Sequence, residues 1–132
     1  ISERILEKYG IPFTADYPNS LKTFDMLEKT KADIFVPSHG EVCEDIVPLV
    51  KANRSCLISL SDEVLDICSK PVTRDDIVGE LASRRGLNMN LSQYALIFST
   101  VAAILSPHID SGKIECCFKS GTLLMCKAKG QN

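Results

Sequence analysis

The stretch Asp33-Ile-Phe-Val-Pro-Ser-His-Gly-Glu41 decides how the rest of the chain is interpreted. Three apolar residues run into Pro37, and His39 is followed by Gly40. Proline cannot extend a central strand ladder and glycine permits tight turns, so the pattern predicts a buried strand at 34–36 that ends in a loop. Because loops at strand ends often carry functional side chains, His39 is the first candidate site residue.

The segment Pro37-Ser38-His39-Gly40 resembles the metallo-β-lactamase-fold hydrolases. In that family the last metal-ligating histidine sits in a Pro-Gly/Ser-His-Gly segment after a short apolar strand. The residues before it, Tyr9-Gly-Ile-Pro-Phe13 and a predicted helix at 21–31, resemble the closing helix and strand of the same fold. The resemblance implies that His39 is a metal ligand in a two-metal site that holds zinc or iron.

The rest of the family's ligand set is missing from this sequence. Enzymes of the family carry a His-x-His-x-Asp-His cluster, a further histidine and a bridging aspartate upstream of the last histidine, whereas this chain has two histidines in total. We therefore expect the C-terminal part of a larger metal-dependent hydrolase that acts on a small-molecule substrate. By itself this part is expected to be inactive, with no catalytic residue and no bound cofactor.

The charge and the hydropathy of the sequence argue against nucleic acid and membranes as binding partners. The net charge is −2 and there is no polybasic run, which argues against a general affinity for nucleic acid or anionic membranes. The uncharged stretch 87–109 is interrupted by polar residues, so it predicts a buried core helix and not a membrane span. No signal peptide is visible, and a cytoplasmic location is expected.

The six cysteines form no Cys-x-x-Cys pair and match no common zinc or redox spacing. Two of them are predicted on the apolar face of a long helix and others in apolar strands, so we expect buried free thiols in a reducing compartment. In an extended strand the side chains of Cys116 and Cys117 would point to opposite faces of the sheet, so the two thiols would be poorly placed to bind one metal ion. The cysteines are Cys43, Cys56, Cys68, Cys116, Cys117 and Cys126.

The first half of the chain predicts three helices. The first covers 2–9 and ends at Gly10, and the second covers 21–31 with Asn19 or Ser20 as its cap. A long third helix spans 46–67, where Pro48 is tolerated because it lies in the first turn. Its apolar face is predicted from residues that recur every three or four positions: Ile46, Val50, Asn53, Leu57, Leu60, Val64 and Ile67.

The second half predicts two more helices and a hairpin. Thr73 and Asp76 form a capping box, and that helix ends at Gly86. Asn90 or Ser92 caps the last helix, which Pro107 is expected to kink or end near Ser106. Its apolar stripe is predicted from Tyr94, Ala95, Phe98, Val101, Ala102 and Leu105. Strands at 113–118 and 122–126 flank a short loop that contains glycine.

These elements predict an α+β chain that is mostly helical and has two units. Residues 1–43 would be the remnant of the metallo-β-lactamase-fold layer, and 44–132 a winged-helix-like domain that begins with the long helix. The alternative function is a DNA-binding regulator, but the last helix lacks Lys and Arg. We expect an accessory packing or dimerisation role, a homodimer formed through 2–36 or its strand edge, and a structural role for His108.

Overall fold

A computed structural model of the chain describes residues 2, 4, 6, 10–38 and 40–130. Within these ranges the chain forms four helices and a two-stranded antiparallel sheet, which confirms the α+β class. The helices are α1 (Tyr17–Lys29), α2 (Val47–Ile67), α3 (Arg74–Arg84) and α4 (Leu91–Asp110). The strands are β1 (Ile114–Lys119) and β2 (Thr122–Lys127). None of the described helices is long and apolar enough to cross a bilayer.

The predicted helix at 2–9 falls mostly outside the described residues. Among those described, the Leu6 N–H donates to the Ser2 carbonyl over 3.1 Å, and the Gly10 N–H donates to the Leu6 carbonyl over 2.8 Å. Both bonds join residues four positions apart, as in an α-helix.

Helix α1 begins earlier than predicted. Asp16 caps it by accepting from the Asn19 N–H, and Pro18 occupies its first turn. The predicted start at residue 21 was wrong because Asp16 and Pro18 together make an earlier helix start than Asn19 or Ser20. The helix ends at Lys29, two residues before the predicted end.

The predicted buried strand at 34–36 is also wrong. Only Phe35 pairs, in an isolated antiparallel bridge with Cys43, and its neighbours Ile34 and Val36 are exposed. A strand needs a neighbouring ladder along its length, and the described residues provide one pairing partner.

Helix α2 has the predicted extent and orientation. It runs from Val47 to Ile67 with Pro48 in its first turn. All seven residues of the predicted apolar face are buried, including Asn53, whose side-chain amide donates to the Leu49 carbonyl over 2.8 Å.

Helix α3 also starts and ends as predicted. Both hydrogen bonds of the Thr73–Asp76 capping box are present. Gly86 has a φ of +61°, a left-handed conformation that favours glycine after a helix.

The early end predicted for helix α4 near Ser106 is wrong, and the alternative, a kink at Pro107, stays a prediction. Asn90 caps the helix as expected, but the helix continues through Pro107 to Asp110. Its buried face is rotated from the predicted stripe, because α4 contacts α1, α2, α3 and β1. Of the predicted residues, Val101 and Leu105 are buried, Tyr94, Phe98 and Ala102 are half-buried, and Ala95 is exposed. Burial therefore extends to residues outside the predicted stripe: Ile97, Thr100, Ile104 and His108.

The hairpin closes the core. Lys119 pairs with Thr122 across a two-residue turn in which Ser120 and Gly121 both have positive φ, as in the primed turns that favour hairpins. Val72 adds a bridge to Met125, which carries backbone pairing beyond the hairpin. The buried side chains of Ile114 and Met125 join those of α2, α3 and α4 in one hydrophobic cluster.

Candidate functional site

The loop at 36–42 is closed at its base by backbone hydrogen bonds. The Phe35 N–H donates to the Cys43 carbonyl over 2.8 Å, and the Cys43 N–H donates back to Phe35 over 3.1 Å. His39, the predicted metal ligand, lies outside the described residues. Its assignment as a ligand stays a prediction.

Gly40 has a conformation that only glycine adopts readily. Its φ is +134°, and a Cβ at this position would lie 3.3 Å from Cβ of Ser2 and 3.5 Å from Cγ of Pro37. The backbone freedom and the close approach both require glycine, in agreement with the role predicted for it. The loop therefore lies against the beginning of the chain.

The described residues do not make a metal site by themselves. They contain no group of three or more His, Cys, Asp or Glu side chains that could hold an ion. Asp45, close to the loop in sequence, instead accepts from the Val47 N–H over 2.9 Å at the start of α2. A metal centre at this loop would need ligands from elsewhere.

Apolar side chains flank the loop and face solvent. The exposed fractions are 58% for Ile34, 76% for Val36 and 60% for Val42. Single exposed apolar residues are ordinary, but three within nine residues around one bridge make a local patch. We call Ile34, Val36 and Val42 the loop patch.

Arg85 anchors the N-terminal segment to the helices. Its guanidinium donates from Nη2 to Glu63 Oε1 over 2.6 Å, from Nε to Glu63 Oε2 over 3.3 Å, and from Nη1 to the Gly10 carbonyl. Burial lowers the pKa of Arg85, but its hydrogen bond and ion pair with Glu63 outweigh this and leave the pKa raised. The Cys56 thiol donates to the same carbonyl over 3.5 Å. Sequence reasoning missed this cluster.

Further polar contacts attach the segment 11–29, which includes α1, to α2 and α4. The Thr14 N–H donates to Thr100 Oγ1 over 3.2 Å in a buried setting. Arg54 of α2 pairs with Asp25 over 2.8 Å and with Glu28 over 3.0 Å, both on α1. These bonds place α1 against α2 and α4 of the same chain.

His108 is buried and hydrogen-bonded. Its Nε2 atom lies 2.8 Å from Ser61 Oγ, and its ring centroid is 6.4 Å from that of Tyr17. Burial is the main cause that lowers the His108 pKa; the charge of Lys113 lowers it further and that of Asp62 opposes. These contacts agree with the structural role expected for this histidine.

An open groove lies between α4, the start of α3 and the hairpin. Its volume is about 450 Å³. At one rim the Arg74 guanidinium lies 3.8 Å from the Phe98 ring centroid, and Tyr94 stacks on Phe98 with its hydroxyl donating to Asp75. We call this space the hairpin groove, and its apolar lining is Phe98, Ala102, Leu105, Ile109, Leu123 and Met125.

The cysteines are free, but the prediction that they are buried is wrong for most of them. Cys68 is buried, which raises the pKa of its thiol to about 11, with smaller contributions from Cys126 and Cys116. Cys116 and Cys117 are exposed because most of β1 beyond Ile114 is not covered by the core. Cys43, Cys56 and Cys126 are half-buried.

Comparison with known proteins gives the fold. No family model and no curated protein matches the chain. Among solved structures, a beta-lactamase domain protein from Burkholderia ambifaria superposes with a TM-score of 0.73 over 86% of this chain, at 20% identity. The fold of this chain is therefore similar to part of a beta-lactamase domain protein. The chain spans 34% of the length of that structure.

Proposed function

We propose that this chain is the C-terminal part of a metal-dependent hydrolase of the metallo-β-lactamase superfamily, and that it is inactive without the rest of that enzyme. The observation that carries the proposal is the fold likeness to a beta-lactamase domain protein, combined with the Pro37-Ser38-His39-Gly40 segment in a loop closed by the Phe35–Cys43 bridge. The φ of +134° at Gly40 supports a specific backbone conformation at this glycine.

The exposed loop patch supports the proposal that another part of the enzyme covers this surface. Full burial of a Val or Ile side chain is worth about 1.5–3 kcal/mol, so covering Ile34, Val36 and Val42 would add several kcal/mol to an interface. In this proposal the patch packs on the catalytic layer of the same enzyme. The backbone on either side of the isolated Phe35–Cys43 bridge would find further pairing partners there.

His39 is the residue that this chain would contribute to the metal centre. In a neutral form its imidazole is a suitable ligand for zinc or iron. The remaining ligands are proposed to lie outside 1–132, because the sequence lacks the family's His-x-His-x-Asp-His cluster. We assign no catalytic residue to this chain, and the substrate is proposed only as a small molecule.

The second half of the chain is proposed to be a winged-helix-like accessory domain with a packing or dimerisation role. The order α2, α3, α4 and hairpin supports this assignment. The Val72–Met125 bridge supports it as well, since it adds a third backbone segment beside the hairpin.

The two histidines allow a matched test in the whole enzyme. We expect His39→Ala to lower the metal content by up to one ion per chain and to abolish hydrolysis of model esters, thioesters and lactams. The control is His108→Gln, at the buried histidine bonded to Ser61, which should keep both metal and activity. Full metal content and activity in His39→Ala would overturn the proposal.

A further inference from the structure

The hairpin carries an exposed aromatic ring beside the hairpin groove. Phe118 is 76% exposed although it is the largest apolar side chain of β1. It pairs directly with Leu123, which is 41% exposed and lines the groove. Residues paired across an antiparallel ladder project from the same face of the sheet, so Phe118 lies beside Leu123 on the groove side of the hairpin without lining the groove itself.

The charged residues that line the groove are Asp75, Asp110 and Arg74, and the Arg74 guanidinium lies over the Phe98 ring, so the two carboxylates outnumber the single cation. Lys119 follows Phe118 and is exposed at the hairpin tip. Asp75 and Asp110 line the groove, where Asp75 already accepts from the Tyr94 hydroxyl. The apolar lining and the two carboxylates suit an aromatic ring followed by a cation, and Phe118-Lys119 of this chain has that sequence.

We propose that the hairpin groove binds a second copy of this chain, with Phe118 of each copy inserted into the groove of the other and Lys119 placed near the partner's Asp110. This assigns a surface to the dimerisation role and rests on the proposed function for that role. The ring and the groove share one face, so a two-fold axis satisfies both contacts at once. Had they lain on opposite faces, the same contacts would have built an open chain of copies.

The proposed contact has the composition of a specific interface. Aromatic side chains bury about 150–250 Å² each and commonly dominate interface energetics. Two such rings, with Leu123 and Ile109 around them, form an apolar centre, and Lys119 and Asp110 form a charged rim.

Sedimentation velocity of the 132-residue chain tests the apolar centre. We expect a dimer in the wild type and an at least tenfold weaker dimer in Phe118→Ser. The matched control is Leu91→Ser, which removes an 84% exposed apolar side chain of α4 outside the groove and should leave the dimer unchanged. A monomeric wild type, or equal dimerisation of Phe118→Ser and wild type, would overturn the proposal.

A charge exchange tests the rim. Lys119→Asp and Asp110→Lys should each weaken the dimer, and the double variant should recover most of the loss because the pair is re-formed with opposite signs. Simple addition of the two losses would contradict the pairing. Val36→Ser separates this surface from the loop patch: a dimer that depends on Val36 and not on Phe118 would overturn this inference and leave the proposed function standing.

Discussion

Arg85 donates a 2.6 Å hydrogen bond from Nη2 to Oε1 of Glu63, and the same guanidinium holds the backbone carbonyl of Gly10. One side chain at the end of α3 thus joins α2 to the segment that leads into α1. Both charged side chains are largely shielded from solvent, with exposed fractions of 17% and 27%. The position of the N-terminal segment depends on this contact.

Arg85→Ala should lower the free energy of unfolding by about 2 kcal/mol, because the half-buried Glu63 carboxylate loses its ion-pair partner and keeps the hydrogen bond from the Ser59 hydroxyl. Urea denaturation measures the loss. The control is Arg84→Ala, whose pairs with Asp66 and Glu80 are more exposed, and it should cost less. In a double-mutant cycle, Glu63→Gln should recover part of the loss. Equal losses for the two arginines would contradict the anchoring role.

His108 should make stability depend on pH. Its pKa is lowered in the folded protein from an ordinary value of 6.5, so the folded state holds fewer protons there than the unfolded state. The stabilisation is complete above about pH 6.5 and is lost as the pH falls toward the folded pKa. Urea midpoints between about pH 7 and pH 5 should fall in the wild type. They should fall less in His108→Gln; the same slope in both proteins would exclude His108 as the cause.

Duplex DNA should not bind at micromolar concentration in physiological salt. Phosphate contacts dominate such affinity, and α4, the helix that would enter the major groove, carries no Lys or Arg. Fluorescence anisotropy with random duplexes is the measurement. Binding that weakens steeply with salt would support the regulator alternative instead.

Local signals in the sequence predicted most of the helices and the hairpin. The Thr73–Asp76 capping box and the apolar face of α2 are encoded within a few turns, so each could be identified without a tertiary structure. The strand at 34–36 failed because strand formation depends on a neighbouring segment. Of the two outcomes expected at Pro107, a kink or an early end near Ser106, the early end was wrong because tertiary contacts of α4 outweigh the single hydrogen bond that proline removes.

Less of the candidate site could be predicted from local sequence signals. The loop glycine was predictable, because Pro37 ends the apolar run and Gly40 itself permits a tight turn. The Arg85–Glu63–Gly10 contact joins three segments far apart in sequence, and Arg85 resembled an ordinary basic residue at a helix C-terminus. Likewise, the placement of Phe118 beside a groove depends on the strand register.

The isolated 132-residue chain should bind no stoichiometric zinc or iron. A catalytic zinc site has about three protein ligands and a structural one four, and the described residues contain no such group. Metal analysis after dialysis tests this expectation. One tightly held equivalent of either metal would show that the chain has a complete site of its own.

The proposed function requires that the other metal ligands lie upstream of Ile1. Sequencing the gene immediately before the codon for Ile1 tests it most directly. We predict an open reading frame that carries a His-x-His-x-Asp-His cluster and, closer to Ile1, a Gly-Asp pair at a strand end. An in-frame stop codon with a start codon adjacent to Ile1, or a continuous upstream sequence without these ligands, would contradict the claim.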